Sequence, residues 1–155
     1  RARAIRAGLT SMTVNGPVSP GDLFAFYGLL KQGAAGMPAH IDLEASGTFE
    51  GPCRLAGRLF DLGGFPGIID GAGLVHAVRY RIKDTTIVPA LDAFEDVTPD
   101  TPETSLYLRQ PMALIDLDGT PTGETAWVYW CNRPVEGYRE IEDGNWPLGA
   151  GRTRT

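Results

Sequence analysis

The sequence predicts one α+β domain of five or six strands with one or two flanking helices. Three observations carry this. Apolar runs are short, and several alternate in the period-two manner of half-buried strands. Twenty glycines and 12 prolines in 155 residues scatter turns along the chain and exclude a bundle of long helices. The intervals between strands leave little room for crossover helices, so a doubly wound parallel sheet does not fit. The length suffices for one real core, and 43% hydrophobic against 21% charged residues is a globular balance.

The elements follow in chain order. Asp22 to Tyr27 is an apolar, aromatic strand that stops at Tyr27-Gly28. Glycine there permits a sharp turn and a close approach to the main chain. Residues 34–40 read as loop. Leu43 to Phe49 fits either a strand or one helical turn. Arg54 to Leu62 is a strand, and Leu74 to Ile82 alternates, with Val75 and Ala77 opposite His76, Val78 and Tyr80. Asp84 or Thr85 caps a short helix over Val88 to Glu95, where Pro89 fits only the first turn. Ser105 to Leu117 is a long strand with a bulge expected at Pro111. Asp118-Gly119 marks a hairpin, and Thr125 to Cys131 returns with Trp127 and Tyr129 on one face.

The net charge of −5 and pI near 5.0 argue against a nucleic-acid partner. No apolar run approaches the length of a membrane span. Cys53 and Cys131 form no metal or redox spacing motif and read as buried thiols, which places the protein in the cytoplasm. Residues 1–20 are expected to be a flexible tail, basic at Arg1, Arg3 and Arg6 but without the apolar core of a signal peptide. The domain then spans 21–147, with a second flexible tail over 148–155.

Several motifs agree in order with one family. Tyr27-Gly28-Leu29-Leu30-Lys31-Gln32-Gly33 resembles the Tyr-Gly-x-Leu-x-x-Gly signature of the γ-glutamylcyclotransferase-like (AIG2-like) proteins. Gly57 to Gly67, ending in Phe65-Pro66-Gly67, is similar to the family's Tyr/Phe-Pro-Gly stretch. Val75 to Tyr80 sits where the family has V-x-G-E-L-Y. Leu91-Asp92-Ala93-Phe94-Glu95 resembles the L-D-x-x-E that carries its essential glutamate. Tyr107-Leu108-Arg109 and Ala126-Trp127-Val128-Tyr129 resemble its Tyr-x-Arg and closing A-x-V-Y strands.

The resemblance implies a small mixed β-barrel with a helix at its side. It also implies an enzyme that cyclises a γ-glutamyl group to 5-oxoproline and releases an amine or amino acid, with no cofactor and no metal. The expected partner is the small-molecule substrate alone, without nucleic acid or membrane, for a monomer or homodimer. Glu95 is the candidate general acid/base. Apolar neighbours and the negative helix end would both raise its pKa. The turn Tyr27, Gly28, Leu29 and Leu30 is the candidate cradle, through main-chain N–H groups. Tyr107 and Tyr129 are candidate substrate-binding residues. Arg109 is expected to pair with Glu103 or Asp96, or with a substrate carboxylate. Asp92 is expected on the outer side of the helix or bonded to nearby backbone.

The chain departs from the family pattern in three places. Leu29 replaces a small polar residue, Asp96 replaces the glycine after the glutamate, and Val78 replaces a strand glutamate. Asp96 beside Glu95 disfavours a leaving group with its own carboxylate, because only Arg54, Arg58 and Arg109 are expected near enough to neutralise it. A γ-glutamyl amine is therefore expected to be the better substrate. Two other readings compete: a non-catalytic binding module on the same fold, and an interaction protein using exposed aromatics such as Trp146.

Overall fold

The computed structural model describes residues 13–28, 41–98 and 102–146. Among the described residues, six strands and two short α-helices follow in order: β1 (Leu23–Phe26), α1 (Leu43–Ser46), β2 (Gly47–Asp61), β3 (Pro66–Ile82), α2 (Val88–Phe94), β4 (Tyr107–Ile115), β5 (Pro121–Cys131) and β6 (Arg139–Ile141). The strands form one mixed sheet in the order β3-β1-β5-β4-β2-β6. β2 also pairs with β3, so the sheet returns on itself. β1 sits between β3 and β5, antiparallel to the first and parallel to the second, with Phe24 opposite both Tyr80 and Trp127.

Alternation along the strands sorts most buried side chains into two main cores, beside a smaller cluster of Phe60, Leu62 and Cys131. Leu23, Ala25, Val75, Ala77, Ala126 and Val128 pack on one face with Leu55, Ile68 and Trp146. Phe24, Phe26, Tyr80, Ile82, Trp127 and Tyr129 pack on the other, under Val88 and Leu91 of α2. Central strands with both faces covered explain why β1 is buried throughout instead of alternating. β3 keeps its alternation, but its buried face changes along its length. Val75 and Ala77 face the first core, whereas Tyr80 and Ile82 lie under the helical layer. Arg79 and Arg81 instead bond Glu50 and Glu124 at the surface.

Several sequence expectations change in detail. The ambiguous Leu43–Phe49 segment is a helical turn capped by Asp42 that runs directly into β2. β2 and β3 are longer than their apolar runs, because hairpin partners carry them outward past the core. The β4 irregularity lies between Ala113 and Ile115, not at Pro111. Pro111 pairs with Trp127 in regular register. β6 is an unpredicted strand, three residues held on β2 through Leu59, Phe60 and Asp61. Trp146 is only 1% exposed, so it belongs to the core and offers no interaction surface. Within the stretch assigned to the N-terminal tail, Asn15 donates its N–H to the Arg109 carbonyl and accepts from the Arg109 N–H. The segment from Asn15 onward is therefore docked on β4. No helix among the described residues is long and apolar enough to cross a membrane.

Burial pushes the Cys53 thiol up to about 11 and the Tyr80 phenol up to about 12, from ordinary values of 9.0 and 10.0. Both groups are neutral when protonated, and the fold favours that form. The stability they contribute is complete below the unfolded values and is lost as pH rises through the folded ones. Denaturant unfolding is accordingly expected to show a free energy that falls steadily between about pH 9 and pH 12. A flat profile over that range would contradict the burial of these two groups.

Candidate active site

Glu95 owes its place to how α2 begins and ends. Asp84 accepts the Thr86 N–H at 3.0 Å and starts a 3₁₀ turn over Thr85–Ile87. Pro89 then occupies the first turn of α2, where no N–H is needed. At the other end the Glu95 N–H closes on the Leu91 carbonyl at 3.0 Å. Asp96 follows in the left-handed region at φ 55°, a conformation that aspartate tolerates and glycine prefers. This explains why glycine suits that position elsewhere. Glu95 is left 8% exposed at the end of the helix, a carboxyl group carried into the protein rather than out to water.

Asp92 does not face outward and is not tied to backbone alone. It is 8% exposed and receives both arms of Arg109, Nε to Oδ1 at 2.9 Å and Nη2 to Oδ2 at 3.1 Å. Arg109 therefore pairs with neither Glu103 nor Asp96. Its remaining arm donates to the Gly16 carbonyl at 2.8 Å, and its guanidinium lies 4.7 Å over the Trp127 ring. Tyr129, opposite Arg109 in the β4–β5 register, donates its hydroxyl to the same Asp92 Oδ1 at 2.7 Å. Burial raises the Tyr129 phenol well above its ordinary value. The charge of Asp92, its hydrogen bond and the charge of Glu95 add to the rise, and Arg109 opposes it. Glu95 thus stands close enough to Tyr129 for its charge to act there.

Tyr27 connects this group to the end of β1. Its hydroxyl donates to the Tyr129 carbonyl and accepts the Ile68 N–H at 3.3 Å. That hydroxyl ties three strands together. Tyr107 likewise donates its hydroxyl to the Pro66 carbonyl. Gly28 sits directly on the Pro66 ring, where an added Cβ would stand 2.6 Å from Cγ. The end of β1, the Phe65-Pro66-Gly67 corner and Tyr107 therefore meet at one place. Leu29 and Leu30, the rest of the expected cradle, lie outside the described residues. On the flank, Asp96 lines a cleft of about 500 Å³ with Leu62, Phe65, Leu106, Arg133 and Tyr138.

The arginines that were to neutralise a leaving carboxylate are mostly engaged. Arg58 pairs with Glu140 at 2.8 Å, Arg109 with Asp92, and Arg54 donates to the Cys53 carbonyl at 3.0 Å. Arg133 donates to the Thr104 carbonyl at 3.2 Å at the edge of the flanking cleft. The Asp92–Arg109–Tyr129 network also escaped the sequence. Its signal was present in the i, i+3 spacing of Asp92 and Glu95, which puts both on adjoining parts of one helical face.

Comparison with known proteins places the chain in a family. The family model described as gamma-glutamyl cyclotransferase, AIG2-like, matches residues 24–148. A gamma-glutamylcyclotransferase family protein, YtfP, of Citrobacter rodentium is 40% identical over 89 residues, 57% of this chain and 66% of that protein. A putative gamma-glutamylcyclotransferase of Vibrio cholerae is 31% identical over 120 residues, 77% of this chain and 90% of the relative. The solution structure of Escherichia coli YtfP superimposes with a TM-score of 0.55 at 29% identity, over 80% of this chain and 95% of that one. Bacillus subtilis YkqA shares the fold at 22% identity with a TM-score of 0.56, over 81% of this chain and 39% of the other.

Proposed function

We propose that this chain, which belongs to the AIG2-like γ-glutamyl cyclotransferase family, cyclises a γ-glutamyl amide to 5-oxoproline and releases the amine, with Glu95 as general base and acid. The observation that carries this reading is a buried carboxyl group, Glu95, at the end of α2, near enough for its charge to add to the rise of the Tyr129 phenol, in a chain of this family. The substrate's α-amine attacks its own γ-carbonyl carbon. Nucleophile and electrophile are already tethered, so the protein supplies a base, an oxyanion site and orientation. Glu95 takes a proton from the ammonium. After the new C–N bond forms, it returns that proton to the departing nitrogen as the old C–N bond breaks, and the second proton, shed by the ring nitrogen, leaves with the released amine as its ammonium ion. The main-chain N–H groups of the turn Tyr27, Gly28, Leu29 and Leu30 receive the oxyanion. Tyr107 buttresses this turn through Pro66, and Tyr129 lines the amine side. The sheet that returns on itself supports the barrel form of the fold, and the reading carries a cytoplasmic location with it.

For the leaving group we propose an amine without its own carboxylate. Arg58, Arg79, Arg81, Arg109 and Arg139 are each held by a carboxylate of the protein. A preference for γ-glutamyl-alanine over a γ-glutamyl alkylamine, abolished by Arg133→Ala, would show instead that Arg133 receives a carboxylate.

The test of the activity is incubation with a panel of γ-glutamyl compounds and assay of 5-oxoproline. Release from at least one supports the reading. A folded protein that releases it from none contradicts the reading and favours a binding module on the same fold.

Gly28 offers a local test of the cradle. In Gly28→Ala the added Cβ would meet Pro66 Cγ at 2.6 Å and Cδ at 3.2 Å, and a proline ring cannot swing aside. The turn or the Pro66 corner must shift. A displacement of that kind is expected to lower kcat/KM about 10- to 100-fold. The destabilisation should stay within about 1–3 kcal/mol, as for other overpacked sites. Unchanged kcat/KM would remove the turn from the site.

A further inference from the structure

We propose that Asp92 and Arg109 are positioning residues that fix the Tyr129 hydroxyl as a hydrogen-bond acceptor towards the substrate's α-amine. This rests on the cyclotransferase reading and adds to it the group that keeps the nucleophile's lone pair free.

The geometry leaves Tyr129 one choice. Asp92 is bound at both oxygens by Arg109, at 2.9 and 3.1 Å. A carboxylate in such a pair only accepts hydrogen bonds. The Tyr129 hydroxyl lies 2.7 Å from Asp92 Oδ1, so its single proton is committed to that oxygen. What remains on the phenol is lone-pair density, which receives N–H groups and offers none. The arrangement is rigid. Asp92 and Tyr129 are 8% and 4% exposed, and Arg109 is further held by the Gly16 carbonyl and the Trp127 ring. Three separate elements, α2, β4 and β5, are thereby joined at one oxygen atom three residues before Glu95.

The chemistry requires such a commitment. Once Glu95 has taken a proton, the substrate amine carries two N–H groups and one lone pair. That lone pair is the nucleophile. A phenol free to rotate would donate its proton to it and occupy it. A phenol whose proton is already given to Asp92 accepts an amine N–H instead. The amine is then oriented with its lone pair left for the γ-carbonyl carbon. Asp92 and Arg109 touch neither substrate nor reacting atoms in this scheme; they act through Tyr129.

The experiment compares three variants by steady-state kinetics. Tyr129→Phe removes the acceptor and is expected to lower kcat about tenfold, the value of one hydrogen bond. The double variant Asp92→Leu with Arg109→Met removes the ion pair as a unit, a replacement that buried pairs often tolerate. It leaves the phenol free to donate. Its kcat is expected to fall about 100-fold, the scale of a misdirected reacting group, with KM little changed. Adding Tyr129→Phe to the double variant should restore kcat to the level of Tyr129→Phe alone. A purely structural role for the pair would give no such recovery, and absence of recovery, or a double variant as active as the wild type, overturns the proposal.

A binding arm keeps the test independent of turnover and of whether the double variant folds. Calorimetry compares L-glutamine with its desamino counterpart on the wild type and on Tyr129→Phe. The variant is expected to lose about tenfold in affinity for L-glutamine, one hydrogen bond's worth, and to bind the desamino compound as before. Equal loss for both compounds overturns the proposal. Amine-selective loss without any 5-oxoproline release leaves this inference standing and sinks the cyclotransferase reading. Turnover without amine-selective loss does the reverse. A wild type that binds neither compound and turns over no γ-glutamyl amide contradicts both.

Discussion

Glu95→Gln is expected to keep the fold and to lower turnover about 10²- to 10⁴-fold, the usual loss for a general base. The substitution is nearly isosteric, so the packing at the end of α2 survives. What is lost is the capacity to take a proton from the ammonium and return it to the leaving nitrogen. The effect should fall on kcat, because glutamine still occupies the position and still accepts a hydrogen bond from the amine. Near-wild-type turnover in a folded Glu95→Gln protein would remove Glu95 from the reaction.

Asp92→Ala is expected to have the largest effect on stability. It leaves the Arg109 guanidinium, 4% exposed, without its carboxylate and strips the Tyr129 hydroxyl of its acceptor. Breaking a buried pair from one side costs about 3–5 kcal/mol, since the stranded charge remains desolvated. Arg139→Ala provides the contrast. Arg139 pairs with Asp61 at 3.1 Å, but its side chain is 64% exposed. Its loss should cost no more than about 1 kcal/mol. Denaturant unfolding of the two variants separates the cases, and equal destabilisation would contradict the burial assigned to Asp92.

How far the sequence could be read depended on whether the signal was local. β1, the hairpin at Asp118-Gly119 and the start of α2 at Asp84 and Pro89 were legible because turn chemistry and apolar runs are short-range. The full length of β2 and β3 was not, because both continue beyond the apolar core as a hairpin held by backbone pairing. β6 is three residues long and exists only because β2 offers it an edge. The position of Glu95 at a helix end was visible in Leu91-Asp92-Ala93-Phe94-Glu95. The partner of Asp92 was not, since Arg109 meets it only after β4 has paired with β5 and α2 has docked on both. Trp146 misled for the same reason: a late aromatic in a polar, glycine-rich stretch looks exposed until the core that receives it has formed. The Tyr27 hydroxyl joins the Tyr129 carbonyl and the Ile68 N–H, partners that only the assembled sheet brings to it.

Turnover of a γ-glutamyl amide in H₂¹⁸O, with product analysis by mass spectrometry, addresses the central claim directly. If the substrate's own amine is the nucleophile, the γ-carbonyl oxygen stays in place. The product is then 5-oxoproline without ¹⁸O, formed in equal amount with the released amine. Glutamate carrying ¹⁸O in its γ-carboxylate would show that water attacks instead, and would contradict the account of Glu95 as the base for an intramolecular cyclisation.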